Sequence, residues 1–271
     1  MASAGSSVAQ QDQPESNFVR AVQRAMRIVT ALAENPYPMG IVEIAEQVEL
    51  SPASVHRQLA TLVSVGWVEQ NSRTTKYRIG MEAVGVGMIG MAANPIIQDG
   101  KTYLGHLARE TGYDAVMSIL VGRRTVQVER VAGAYTSIVD FEPGRFQPAH
   151  AMADGKLLLA YLPEAERRFI YEGSGLRKYT PNTIVDPTEL EQEFEKIRSR
   201  GYSVDNYERF EAGRGVAVPV LDANGKPLAA LLCVGTLDPA PDQELQLVRQ
   251  MLSQAREMSE RLIVAGEIPS T

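Results

Sequence analysis

The stretch from Glu49 to Glu69, ELSPASVHRQLATLVSVGWVE, holds the signal that decides the fold of this chain. Ser51 followed by Pro52 reads as a helix N-cap and first helical residue. The serine hydroxyl accepts from a free N–H at the helix end, and proline lacks the N–H that would otherwise be left over. Val55, Leu59, Leu62 and Val63 then fall at i, i+4, i+7 and i+8, one apolar stripe of an α-helix. Ala53, Ser54, Arg57 and Thr61 look away from that stripe, with His56 on its flank. Taken alone, this outer face reads as solvated surface, the default for an amphipathic helix.

The flanking sequence changes that reading. A first helix spans about Asn17 to Glu34, with Val22, Ala25, Met26 and Val29 as its stripe, and Asn35-Pro36 stops it. A second runs from Gly40 to Val48, with Ile41, Ile44, Ala45 and Val48 on one side. Glu49-Leu50-Ser51-Pro52 then forms a connection of the length found at a helix-turn-helix corner. Downstream, Trp67–Gln70 and Lys76–Ile79 read as two short strands joined by Asn71–Thr75. This hairpin carries Arg73, Lys76 and Arg78, with no acid between Asn71 and Gly80. Three helices and a basic hairpin over residues 17–80 make the layout of a winged helix-turn-helix.

That layout gives the outer face a use. A helix-turn-helix sets its recognition helix in the major groove of double-stranded DNA, N-terminal residues toward the base edges. Ser51 heads the helix whose free N–H groups attract a phosphate. Ala53 permits close approach and meets a thymine methyl, and Ser54 suits a base or phosphate. His56 reaches a phosphate or base, and Arg57 grips guanine with two hydrogen bonds. Arg73 and Lys76 on the wing hold backbone phosphates or enter the minor groove. Trp67 sits where the wing packs under the helix and reads as core.

Residues 81–94 form a further helix despite Gly85, Gly87 and Gly90. These glycines cost helix stability but admit a close neighbour, so the segment reads as a linker helix packed on a partner. Residues 95–271 then change character. After an amphipathic helix with Ile97, Leu104 and Leu107, strands are expected at Ala115–Val121, Thr125–Val131 and Ser137–Phe141. Helices follow at Gly155–Tyr161, Pro163–Tyr171 and Pro187–Arg200. Val216–Leu221 and Leu228–Val234 pair through Asn224-Gly225, a hairpin turn signal. Pro241–Val264 is a long helix with Leu245, Val248, Leu252, Ala255 and Leu262 on one face. The whole is α+β, with a mostly antiparallel sheet in the second domain.

Bulk composition narrows the function. The chain has 271 residues, 44% hydrophobic and 22% charged, which suits two globular domains. A single cysteine, Cys233, excludes an internal disulfide and points to a reducing cytoplasm. His56, His106 and His150 lie far apart with no metal-ligand spacing, and no cofactor motif is present. Residues 1–16 (MASAGSSVAQQDQPES) lack Lys, Arg and an apolar core, and read as a disordered leader rather than a signal peptide. Net charge is −6. From Asn17 to Gly80, however, seven Lys/Arg stand against five Asp/Glu, and from Met81 onward twenty stand against twenty-six. The basic end is the one with the helix-turn-helix.

Several segments resemble the IclR-type bacterial transcriptional regulators. The front match runs AVQRAMRIVTALAENPYPMGIVEIAEQVELSPASVHRQLATLVSVGWVEQ and then KYRIG. Two more follow, PAHAMADGKLLLAYL (Pro148 to Leu162) and IRSRGYSVDNYERFEAGRGVAVPVLDANGKPLAALLCVG (Ile197 to Gly235). The resemblance implies a linker helix joining the winged domain to a GAF-like effector domain. It also implies homodimers, often paired into tetramers, that bind palindromic promoter sites and respond to a small organic acid or aromatic compound. Catalytic residues are not part of the pattern.

Carried over by position, the resemblance puts the effector pocket around Thr136 to Phe146, Ala153, Asp154, Gly155, Asp205, Gly215 and the strand with Leu232 and Val234. This chain departs from the family there. Asp154 stands where a small residue is common, Gly215 where many members carry cysteine, and Leu232 and Val234 where members binding small polar acids carry serines. The paired acids after Asp205 become Tyr207-Glu208, and the glycine motif that follows is shifted by one. Loss of hydroxyls makes the wall apolar and Gly215 opens room, which favours an aromatic ring such as a hydroxybenzoate. Met117, Phe141, Phe146 and Met152 are the ring contacts this reading names. Asp154 either caps the Gly155 helix or accepts a ligand hydroxyl.

Two other functions compete with this reading. An enzyme would draw on Asp114, Glu129, Asp154, Asp205 and Glu208, or on Cys233 with His150. A thiol inside an apolar strand is ordinarily inert, however, and no nucleophile motif accompanies it. A DNA-binding architectural protein without ligand would leave the larger second domain without a task.

Overall fold

The computed structural model describes residues 19–122, 124–135, 144, 146–235 and 241–265. Its contacts divide the chain after Ile89 into two compact units.

The first unit is built on three helices, α1 (Arg20–Glu34), α2 (Ile41–Gln47) and α3 (Pro52–Ser64), and the hairpin β1 (Val68–Gln70) and β2 (Tyr77–Ile79). Ile28, Ala31, Leu32, Ile44, Ala45, Val48, Val55, Leu59 and Leu62 close a core with Val68 and Tyr77 of the hairpin. The α2–α3 corner turns on Glu49, whose φ of 52° is left-handed, and Leu50 N–H donates back to Ala45 O at 3.0 Å. Arg27 of α1 donates to the Val48 carbonyl at 2.5 Å, covering the end of α2. The hairpin is antiparallel with Glu69 opposite Arg78, and Met39 bridges to Tyr77, tying the segment before α2 to the wing.

The stripe of α1 departs from expectation. Ile28, Ala31 and Leu32 bear the burial, while Val22 and Met26 are exposed. The packed residues continue the helical spacing one turn further along, so the N-terminal half of α1 overhangs the core.

α4 (Met81–Ala93) crosses the division at Ile89 and buries none of its residues. In the second unit a six-stranded sheet runs β5-β4-β3-β8-β7-β6, each neighbouring pair antiparallel. Its strands are β3 (Asp114–Val121), β4 (Arg124–Val131), β5 (Phe146–Pro148), β6 (Ser203–Phe210), β7 (Gly213–Leu221) and β8 (Pro227–Gly235). α5 (Pro95–Thr111) and α9 (Pro241–Val264) cover one face, where Leu104, Leu107, Met251 and Met258 meet Val216, Val218, Leu231 and Cys233. α6 (Ala153–Ala160) and α8 (Pro187–Arg200) cover the other, where Leu157, Leu158, Phe194 and Ile197 meet Val116, Ala217, Ala230 and Leu232. α7 (Glu164–Ser174) joins α8 through an Arg167–Glu191 pair at 2.5 Å. Alternation along β8 assigns Leu231 and Cys233 to one layer and Leu232 and Val234 to the other.

Helix ends follow their caps. Asn94 accepts from Ile96 N–H at 3.0 Å before Pro95, Asp186 accepts from Thr188 and Glu189 N–H before Pro187, and Gly112 and Gly201 end α5 and α8 at φ 74° and 79°. The expected hairpin turn forms at Asn224-Gly225, with Asp222 accepting from Asn224 and Lys226 N–H. Two strands carried no clear signal: β5 has three residues, and β6 is broken by a bulge. Ser137–Phe141 lies outside the described residues.

Candidate functional site

On α3, Ser51 is the N-cap and accepts from Ser54 N–H at 3.3 Å, with Pro52 behind it. Ala53, His56, Arg57 and Thr61 are exposed together on one face. Ser54 is not among them. It is buried and its hydroxyl is closed off from water without a hydrogen-bond partner among the described residues, so it belongs to the packed side of the first turn. Val63, counted into the stripe, is partly exposed.

The wing is shaped by its own side chains. Asn71 Oδ1 accepts from Arg73 and Thr74 N–H at 2.9 and 3.0 Å, which holds Arg73 at the exposed tip. The strand cations meet acids contributed by other segments. Arg78 is held by Glu69 across the hairpin at 2.8 Å, and Lys76 Nζ lies 3.6 Å from Glu43 of α2. The Gly40 N–H and then Lys76 hold the Glu43 carboxyl below the usual range. An acid-free loop sequence therefore does not make an acid-free wing.

In the second unit, the sheet gathers most of the residues assigned to the effector. Asp205, Gly215 and Val234 sit side by side across β6, β7 and β8, and Leu232 pairs with Ala217 one step along. Met152, Ala153, Asp154 and Gly155 lie buried at the start of α6 above them. The room expected at Gly215 is filled: a Cβ there would stand 2.9 Å from Leu232 Cδ1 and 3.8 Å from Ala153 Cβ. The leucine that makes the wall apolar also occupies it.

Three assignments shift. Met117 lies on the opposite face beneath α5, where it packs against Gly100, because its strand position is one residue out of phase with Val116. Asp154 does not cap the helix. α6 begins at Ala153 with Met152 at the N-cap, and Asp154 instead accepts from Gly155 N–H at 2.9 Å. Phe141 lies outside the described residues.

The α6 side also holds a buried polar cluster. Lys156 pairs with Glu208, both nearly sealed from solvent. Asp205 accepts from Glu208 N–H at 2.7 Å. Asp154 Oδ2 and Glu208 Oε2 have no hydrogen-bond partner among the described residues. Burial raises the Asp154 carboxyl, opposed by the nearby Ser118 hydroxyl and the Gly155 N–H. Burial first, with Glu208 and Asp154 close by, pushes Asp205 up to about 7. A bulge places the cluster: the β6–β7 register shifts between Asp205 and Phe210 and Tyr207 has φ 60°. The sequence signal was the misaligned Tyr207-Glu208 region.

Beside this cluster opens a cleft of about 280 Å³. Arg124 of β4, Phe146 of β5, His150, Arg177 and Tyr179 of the loop after α7, and Arg209 from the β6 bulge line it. Thr180 and Thr183 fix the loop by donating to the Tyr207 and Glu208 carbonyls at 2.7 and 2.6 Å. His150 Nε2 donates to Arg177 O at 2.9 Å. Burial holds its imidazole below the usual range, reinforced by Lys156 and Arg209. Of these residues the effector reading from sequence names only Phe146, and His150 enters only as a partner for Cys233 in the enzyme reading. Arginines spread over 85 positions leave no motif to read.

The features of an enzyme do not converge. Cys233 is buried in the α5–α9 layer, its thiol pushed up to about 12 by desolvation, while His150 faces the cleft. No group of three metal-ligating side chains occurs among the described residues, and no described helix is long and apolar enough to cross a membrane.

A winged helix-turn-helix followed by an antiparallel sheet covered by helices on both faces is the plan of a bacterial transcriptional regulator. The IclR helix-turn-helix domain matches residues 21–72, and the bacterial transcriptional regulator IclR C-terminal domain matches residues 91–260. The chain belongs to the IclR family. It is 34% identical over 238 residues to the HTH-type transcriptional regulator XynR of Escherichia coli K12, covering 88% of this chain and 94% of that relative. The crystal structure of Thermotoga maritima IclR superposes with a TM-score of 0.63 at 27% identity, over 90% of this chain and 98% of that one. An IclR homolog from Microbacterium hydrocarbonoxydans, complexed with 4-hydroxybenzoate, shares the fold at 20% identity and a TM-score of 0.66, over 89% and 99% of the two chains. The relatives are transcriptional regulators, not enzymes.

Proposed function

We propose that this regulator reads promoter DNA with α3 and the wing, as a dimer or tetramer, and that a small aromatic acid bound by its second unit switches that reading. The observation that carries the DNA assignment is the exposed face of Ala53, His56, Arg57 and Thr61, set at the start of the helix after the Glu49 corner. Arg57 is the base-reading residue, and Arg73 at the wing tip is a phosphate contact. The apolar Leu232 and Val234 on the α6 side, and the 4-hydroxybenzoate bound by a relative of the same fold, support an aromatic effector over a two- or three-carbon acid.

A gel shift on the protein's own promoter, with and without hydroxybenzoates, tests the reading. Arg57→Glu should abolish the shift while calorimetric ligand binding persists. Survival of the shift in that variant rejects the DNA assignment. Thermal stabilisation by no acid at all would instead favour a DNA-binding protein without a ligand.

A further inference from the structure

The outer face of α9 departs from its sequence pattern. Leu245 and Leu252 share a sequence stripe with Val248, Ala255 and Leu262, but packing separates them. Val248, Met251, Ala255, Met258 and Leu262 are buried in the layer against the sheet, whereas Leu245 is 49% exposed and Leu252 only partly covered. On the outward side, Arg249, Leu252, Ser253, Arg256, Glu257 and Glu260 line an open groove of about 450 Å³. The charges flanking it are used within the unit: Glu244 pairs with Arg214 at 2.5 Å and Arg261 with Asp99 at 2.7 Å. Arg249, Arg256, Glu257 and Glu260 form no ion pair among the described residues, although Arg256 and Glu260 stand one turn apart.

The order of residues along this face fits a reversed copy of itself. Leu245, Arg249, Leu252 and Arg256 recur at steps of four and three, the spacing of a seam between helices. Reversing the helix about a point between Gln254 and Ala255 sets Leu245 opposite Ile263, Arg249 opposite Glu260 and Leu252 opposite Arg256. Exposed apolar ends then meet each other, a cation meets a carboxylate, and a leucine meets the aliphatic stem of an arginine. Ser253, beside the midpoint, is small enough for two backbones to approach. A two-fold contact needs one patch that fits itself, and this patch does. A partner of uniform charge would set either the arginines or the glutamates against like charge.

We infer that α9 is a contact surface between two copies of this chain. The two helices pack antiparallel across a two-fold axis at Gln254-Ala255, with Arg249 of each copy paired to Glu260 of the other. This surface lies on a different helix from α4, so both can serve in one assembly larger than a dimer. The inference goes beyond the DNA and effector assignments and stands without them.

Sedimentation velocity on the full chain, across a concentration series, tests it with Arg249→Glu, Glu260→Arg and the double exchange. Both sites are exposed, so neither substitution disturbs the core. Each single reversal should weaken one association step by on the order of tenfold or more, because the axis repeats the like-charge contact. The double exchange should restore it. Single variants that sediment as wild type, or a double variant that fails to recover, overturn the inference and leave the face to solvent or to an unrelated partner. A cross-link tests the position of the axis. Ser253 lies beside it and Cys233 is buried, so Ser253→Cys should form a disulfide between copies under mild oxidation. Ser199→Cys, exposed on α8 over the other face of the sheet, should not. Equal cross-linking of the two variants, or none in Ser253→Cys, likewise overturns the antiparallel contact.

Discussion

Asp205 shows how one side chain ties the stability of the second unit to pH. In the unfolded chain its carboxyl ionises near 4, whereas in the folded unit it holds its proton up to about 7, chiefly because burial disfavours the charge. Between those values the native state binds the more protons, so stability is greatest below about pH 4 on this account and declines as pH rises toward 7. Asp154, raised by the same cause, adds in the same direction. Asparagine imitates the protonated acid and keeps an oxygen to accept the Glu208 N–H. Asp205→Asn should therefore leave the thermal midpoint nearly unchanged at about pH 3.5, where the acid is protonated in both states, and raise it at about pH 8. Thermal melts at the two pH values check this, and an equal shift at both would show that the carboxyl charge is not the cause.

At the scale of elements, two glycines of the α6 side separate backbone fit from side-chain fit. A Cβ on Gly155 would fall 2.3 Å from the Ala149 carbonyl oxygen and 2.5 Å from its Cα, while one on Gly215 meets the mobile end of Leu232. Gly155→Ala should cost about 1–3 kcal/mol or more, despite alanine's better helix propensity, and lower the midpoint by several degrees. Gly215→Ala should cost less, since Leu232 has a rotamer to yield, and a urea titration of both variants ranks them. The sequence carried some elements through local chemistry: Ser51-Pro52 marked the start of α3, and Asn224-Gly225 marked the hairpin. It could not carry what depends on phase or long-range assembly. A one-residue step put Met117 rather than Val116 on the wrong side of the sheet. Ser54 looked polar and outward until the first turn of α3 was packed. The arginine cleft needed β4, β6 and a loop brought together by a bulge, and no local spacing encodes that.

Over the whole molecule, the exposed apolar surface is unevenly placed. α4 exposes Met81, Val86, Met88 and Ile89, each more than half accessible. Among the described residues, nothing lies within 4 Å of the space a Cβ would take on its Gly85, Gly87 and Gly90. α1 and the Val19 N-cap before it add exposed Val19, Val22 and Met26. A helix apolar all round is ordinarily buried, and glycines on it let a second backbone approach closely, so α4 is best satisfied by a second copy of this chain. Two copies would also carry two recognition helices, which is what a palindromic operator needs. A dimer seam on α4 has a direct consequence for Met88→Glu combined with Ile89→Glu. Sedimentation velocity should show the variant shifted toward monomer, because two carboxylates cannot be buried unpaired in an apolar contact. The same variant should need more protein to shift promoter DNA, through loss of the second half-site, while its calorimetric affinity for the effector acid stays within about twofold of wild type because the α6 side of the second unit lies outside the seam. An unchanged sedimentation coefficient would place the interface between copies elsewhere.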